Sequence, residues 1–126
     1  MNRRRLHVSL LSVLLFVVSA SAMDRWAALS MIESGDNDRA VGAGGEVSRF
    51  QIKPILWNGG NPLDAQAALS AAMEIMKERV AEFERIHKRA PNDVEFYILW
   101  NAPSRVNKPS PVVSERANRF ANLIKR

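Results

Sequence analysis

The longest periodic run in the chain is Asn61 to Lys88, NPLDAQAALSAAMEIMKERVAEFERIHK. Within it Leu69, Met73, Met76, Val80 and Phe83 recur at steps of four and three, the spacing of one helix face. Glu74, Glu78, Arg79, Glu82, Glu84 and Arg85 fall on the other faces. Asn61 is placed to cap this helix, with Pro62 at its first position, where a missing N–H costs nothing. The pattern therefore predicts a long amphipathic helix whose stripe is core, not a partner-binding groove, and around which shorter helices pack.

The flanking segments carry the same period. Asp24 can cap a short helix through Trp26, Leu29 and Ile32 that Gly35 stops. Asp36 to Glu46, rich in glycine and charge, reads as a loop with room for a small hairpin. Ser48 to Trp57, broken by Pro54, reads as one or two helical turns, and Asn58-Gly59-Gly60 as a second loop. Pro91-Asn92-Asp93 opens a helix with Val94, Ile98 and Asn101 on one side. After a loop from Pro103 to Pro109, Ser110-Pro111 opens a last helix with Val113, Ala117, Phe120 and Ile124 at seam spacing. The fold class predicted is all-α, one small domain.

Composition agrees with that reading and limits the function. The 126 residues are 47% apolar and 25% charged, the balance of an ordinary globular chain, which excludes wholesale disorder. A formal charge of +5 suggests an anionic partner until its distribution is considered. Residues 1–22 run from Arg3-Arg4-Arg5 through the apolar stretch Leu6 to Val18 to Ser19-Ala20-Ser21-Ala22, the pattern of a secretory signal peptide cleaved after Ala22. An uncleaved membrane anchor is the alternative, although His7, Ser9 and Ser12 interrupt a stretch already short for a span. Three of the 18 basic residues and none of the 13 acids lie there, so residues 23–126 carry 15 against 13, or +2. Nucleic-acid binding loses its main support. The expected location is outside the cytoplasm, periplasmic or secreted. With no cysteine, the chain has neither disulfides nor a site for a lipid anchor.

Elimination narrows the chemistry. His87 is the one histidine beyond residue 22, so neither a zinc site nor a Ser-His nucleophile at Ser34 is expected, and no metal or cofactor is predicted. Gly42-Ala43-Gly44-Gly45 lacks the Lys-Ser/Thr ending of a phosphate loop and reads as a turn. What remains is a carboxylate. Glu33 sits in the last turn of the first predicted helix, where the negative helix end and any burial would both favour its protonated form. A carboxylic acid that keeps its proton near neutrality can protonate a glycosidic oxygen.

The segment Glu33-Ser34-Gly35-Asp36-Asn37-Asp38-Arg39-Ala40-Val41-Gly42 resembles the glutamate motif of the soluble lytic transglycosylases and their lysozyme-like relatives. Gln51-Ile52-Lys53-Pro54, eighteen residues after Glu33, resembles the family's second motif. Trp100-Asn101-Ala102-Pro103-Ser104-Arg105-Val106 is similar to its third. The resemblance implies a mainly helical lysozyme-like α+β fold over residues 23–126, with the active-site cleft between helices. It implies a peptidoglycan lytic transglycosylase that works without metal or cofactor. Glu33 would be the sole catalytic acid/base, cleaving between N-acetylmuramic acid and N-acetylglucosamine and leaving a 1,6-anhydro end. Ser34, Gln51, Tyr97, Trp100 and Asn101 are the expected substrate-binding residues, and Trp57 is expected in the core. Peptidoglycan glycan strands are the expected partner, with recruitment by a cell-envelope protein complex as a route to them.

Departures from the pattern keep other outcomes open. Ser48-Arg49-Phe50 stands where the family has Gly-Leu-Met, Trp100 replaces a tyrosine, and Pro103 replaces a glycine. A side chain that approaches the glutamate in relatives would be missing unless Tyr97 supplies it from one turn earlier. A catalytically weak peptidoglycan-binding module and a helical interaction protein are the non-enzymatic alternatives. Asp36, Asp38 and Glu46 read as solvated loop charges. Glu46 facing Glu33 across the cleft would instead favour a muramidase that hydrolyses the same bond.

Overall fold

A computed structural model describes residues 23–125, so the secretory signal expected at 1–22 lies outside the described residues. Four helices follow one another: α1 (Arg25–Ser34), α2 (Ala65–His87), α3 (Asp93–Asn101) and α4 (Pro111–Ile124). Single 3-10 turns at Pro54–Leu56 and Pro103–Arg105 punctuate the loops. The fold is mainly helical. Among the described residues no strand forms, and the hairpin anticipated at 36–46 reduces to two isolated bridges, Val41 to Val47 and Val47 to Ile52.

Most helix ends follow from local chemistry. Asp24 accepts the Ala27 N–H at 2.7 Å and caps α1. At its far end Gly35 takes φ +66°, so its N–H reaches Met31 O and that of Asp36 reaches Ser30 O. Asn92 and Glu95 form a reciprocal capping box on α3. Ser110 caps α4, with Pro111 in the first turn.

The start of α2 corrects the sequence reading. Asp64, not Asn61, caps it, accepting from Gln66 and Ala67, while Asn61 closes a separate turn onto the Leu63 N–H. The physical reason is that one aspartate here satisfies two orphan N–H groups of the first turn. The stripe is also displaced. Ala68, Ala72, Met76 and Phe83 are buried, Leu69 and Val80 are half-buried, and Met73 is 49% exposed. Small alanines let α2 approach its neighbours closely, and a count of bulky residues alone passes over them.

The hub is α3, not the longer α2. Phe96, Tyr97, Ile98, Leu99 and Trp100 are buried in succession, which places this helix at the centre with α4 and α2 packed on it. Phe120 of α4 lies against Phe96 and Tyr97 at ring separations of 5.9 and 5.6 Å. Arg25 joins the start of α1 to that of α3, through Asp93 at 2.9 Å and Pro91 O at 3.1 Å. That tie brings the end of α1, with Glu33, over the middle of α3.

Candidate active site

The carboxyl of Glu33 meets the hydroxyl of Tyr97. Tyr97 Oη donates to Glu33 Oε1 at 2.9 Å, and the tyrosine side chain is fully buried. Burial pushes the Glu33 carboxyl above its ordinary value and the charge of Glu46 adds to that, while the Tyr97 bond and the charge of Arg116 oppose it. The Tyr97 phenol is pushed well above its own ordinary value, so it stays a donor across the working pH range. The approach to the glutamate thus comes from Tyr97, one turn before Trp100.

Glu33 opens into a cleft of about 500 Å³. The glycine loop supplies Gly42, Ala43 and Glu46 to its wall, the following segment Gln51 to Lys53, α2 Ile75 and Arg79, α3 Trp100 and Asn101, and α4 Arg116. Glu46 folds back over its own turn, where its Oε2 accepts the Gly44 N–H at 2.9 Å. The turn is close to both side chains: a Cβ on Gly42 would collide with Glu46 Oε2 and stand 2.7 Å from Gln51 Oε1, so the ends of those side chains would have to shift to admit one. The reading of Glu46 as a solvated loop charge therefore changes, since it lines the cleft and its charge acts on Glu33. Asp36 and Asp38, read as solvated loop charges, are instead paired within the loop, held by Arg49 at 3.1 and 2.7 Å.

The other site residues expected from sequence separate into two groups. Gln51, Trp100 and Asn101 line the cleft with Glu33. Gln51 donates its amide to Ala40 O and Ser48 O at 3.1 and 3.0 Å, which fixes the loop and leaves Oε1 beside Gly42. Trp100 is 8% exposed and sits edge-on to Phe50, so only its margin reaches the cleft. Ser34 is not in the wall. Its hydroxyl donates to Arg49 O at 2.7 Å and accepts the Asn37 N–H at 3.0 Å, tying α1 to both ends of the loop. Buried Tyr97 cannot offer its face to a sugar, and its contribution is the hydroxyl. Trp57 is half-buried against the core and donates Nε1–H to Gly60 O at 3.1 Å.

Three basic cleft residues, Lys53, Arg79 and Arg116, escaped the sequence reading as site residues. Arg79 caps the end of α3, donating to Leu99 O and Trp100 O at 2.9 and 2.8 Å, and burial pulls its guanidinium below the ordinary value. Its place on α2, one turn before Phe83, was a usable signal. Arg116 flanks the apolar stripe of α4, and local sequence gives no sign that it reaches Glu33. Among the described residues no group of three or more Asp, Glu or His side chains is arranged to hold a metal ion.

Chemically, the arrangement presents one carboxyl shifted toward its protonated form, one further carboxylate, amide groups and cations in an open groove. No protein-family model, no curated protein and no solved structure matches the chain.

Proposed function

We propose that this protein is an exported peptidoglycan lytic transglycosylase of lysozyme-like fold, with Glu33 as its acid and base. The observation that carries the reading is the Glu33 carboxyl, burial-shifted toward its protonated form and oriented by Tyr97 at 2.9 Å inside a groove. Glu33 gives its proton to the oxygen between N-acetylmuramic acid and N-acetylglucosamine as the C1–O bond breaks. The resulting carboxylate then takes the proton of the C6 hydroxyl as O6 bonds to C1, and the 1,6-anhydro product leaves Glu33 protonated again. One carboxyl suffices because the substrate's acetamido group can stabilise C1 between the two steps; conventional glycosidases use two.

Digestion of purified peptidoglycan by residues 23–126, beside Glu33→Gln, tests this by mass spectrometry of the soluble products. Anhydromuramyl ends from the parent alone are the expected result. If both proteins release nothing yet pellet with the wall, the protein is a binding module. Glu46 favours a second reading, because a carboxylate in the same cleft can activate water. Reducing ends in place of anhydro ends would identify that hydrolysis.

A further inference from the structure

Two cations in the cleft enter no ion pair among the described residues, and one of them, Arg116, faces the Glu33–Tyr97 pair. Of the three basic side chains in its wall, Arg79 is committed to the carbonyls that end α3. Lys53 and Arg116 line the same wall, belong to exposed residues, and enter no ion pair among the described residues. Packing does not require Arg116 to be basic, since α4 is held by Ala117, Phe120 and Ala121. Nor does acid catalysis, because a cation beside Glu33 opposes retention of its proton.

We infer that Arg116, assisted by Lys53, is the receptor for a carboxylate carried by the glycan, so that the cleft selects acidic saccharides over neutral ones. This rests on the glycan-cleaving reading above. A guanidinium matches a carboxylate with two parallel hydrogen bonds, and an ammonium adds a point charge. Occupation would also neutralise the cation that opposes the acid. The groups acting on Glu33 are Tyr97 from α3, Arg116 from α4 and Glu46 from the glycine loop, with Lys53 and Arg79 in the same wall. Only the two unpaired cations are suited to an anion. In peptidoglycan that carboxylate has two sources: the lactyl ether when no peptide is attached, and the peptide itself when the lactyl group is amidated.

The test compares kcat/KM on three soluble glycans of equal length: an N-acetylglucosamine oligomer, a peptide-free muramyl glycan, and the same glycan with its peptides. The parent is expected to prefer a carboxylate-bearing glycan by about tenfold or more, a preference that falls as salt rises. Arg116→Gln should cut that kcat/KM about tenfold, chiefly through KM, and Arg116→Lys should recover most of it. Arg119→Gln, on the same helix but outside the cleft wall, should change nothing. Which acidic glycan is preferred identifies the lactyl or the peptide source. Equal cleavage of all three, or a preference that survives Arg116→Gln, overturns the receptor and leaves glycan cleavage standing. Calorimetry with Glu33→Gln separates the remaining cases. Binding of acidic glycan without cleavage by the parent, abolished by Arg116→Gln, upholds the receptor and overturns the catalytic reading. Neither binding nor cleavage overturns both.

Discussion

Replacing Tyr97 by Phe removes one oxygen atom from a fully buried ring and, with it, the 2.9 Å bond to Glu33 Oε1. The ring keeps its packing on Phe120, so the loss is the bond and not a cavity. A hydrogen bond to an ionised carboxylate contributes about 1.5–3 kcal/mol, and one to a neutral acid about 0.5–1.5 kcal/mol. The variant should therefore lose about 2 kcal/mol where Glu33 is ionised, roughly 8–16 °C in Tm for a domain of this size, and about half of that in acid. The sign follows from which form the bond favours. Tyr97 donates, which stabilises the charged carboxylate, so its removal raises the Glu33 carboxyl still further above 4.5. Circular-dichroism melts at about pH 4 and about pH 9 measure the two costs. The pH profile of the proposed glycan cleavage supplies an independent reading. An acid that must be protonated loses activity on the alkaline side, and that limb should move to higher pH in Tyr97→Phe. An equal cost at both pH values, together with an unmoved limb, would refute the coupling.

Glu33→Gln should abolish product release yet raise Tm by a few degrees at alkaline pH, measured by the same melts. A carboxyl raised in the fold contributes stability that is lost as pH rises through its folded value, so the gain should vanish below about pH 4. Arg49→Met frees Asp36 and Asp38 and should cost about 1 kcal/mol in urea unfolding, less in high salt, because these groups are partly exposed. Arg49 holds the Asp38 carboxyl below its ordinary 3.8, so this cost should disappear as pH falls through that lowered value. Gly42→Ala drives a methyl against the side-chain ends of Glu46 and Gln51, which can shift, so it should cost no more than about 1 kcal/mol while displacing both groups and reducing cleavage. Gly60→Ala, with nothing within 4 Å of the new methyl, should melt as the parent does.

Short-range chemistry is what the sequence disclosed. Asp24, Gly35, Asn92 and Ser110-Pro111 act on N–H and C=O groups within a turn, so residue type and spacing were enough to read them. The burial order was not legible in the same way. Residues 61–88 are longer and more periodic than 93–101, yet α3 is the buried helix, because Phe96 to Trp100 are apolar on every face and so carry no periodic signal. In the site, the motif order brought Glu33, Gln51, Trp100 and Asn101 into one cleft. Tyr97 was legible only as a neighbour of Trp100 one turn away. Glu46 read first as a solvated loop charge, with a place facing Glu33 only as the alternative, and Arg116 gave no local signal, since their effect on Glu33 depends on how separate elements pack.

The departures at 48–50 take on a different weight once their geometry is considered. Four non-glycine residues adopt positive φ, and three of them, Asp36, Ser48 and Gln51, belong to the loop beside Glu33. Such conformations cost about 1–3 kcal/mol each and persist only where surrounding contacts hold them. Here those contacts come from residues 48–50. Ser48, at φ +72° where the resembled motif has glycine, is buried and accepts the Phe50 N–H at 3.2 Å. Arg49, where the resembled motif has an apolar residue, clamps Asp36 and Asp38, closing the loop on itself. Phe50 anchors the segment between the edges of Trp26 and Trp100. The three side chains thus form one compensating set, and what they hold in place is Gln51, at φ +52°, with both amide bonds made inside the loop. A cleft wall fixed in this way does not have to be ordered by its ligand, which is the condition for a carboxyl such as Glu33 to act on a bond held beside it.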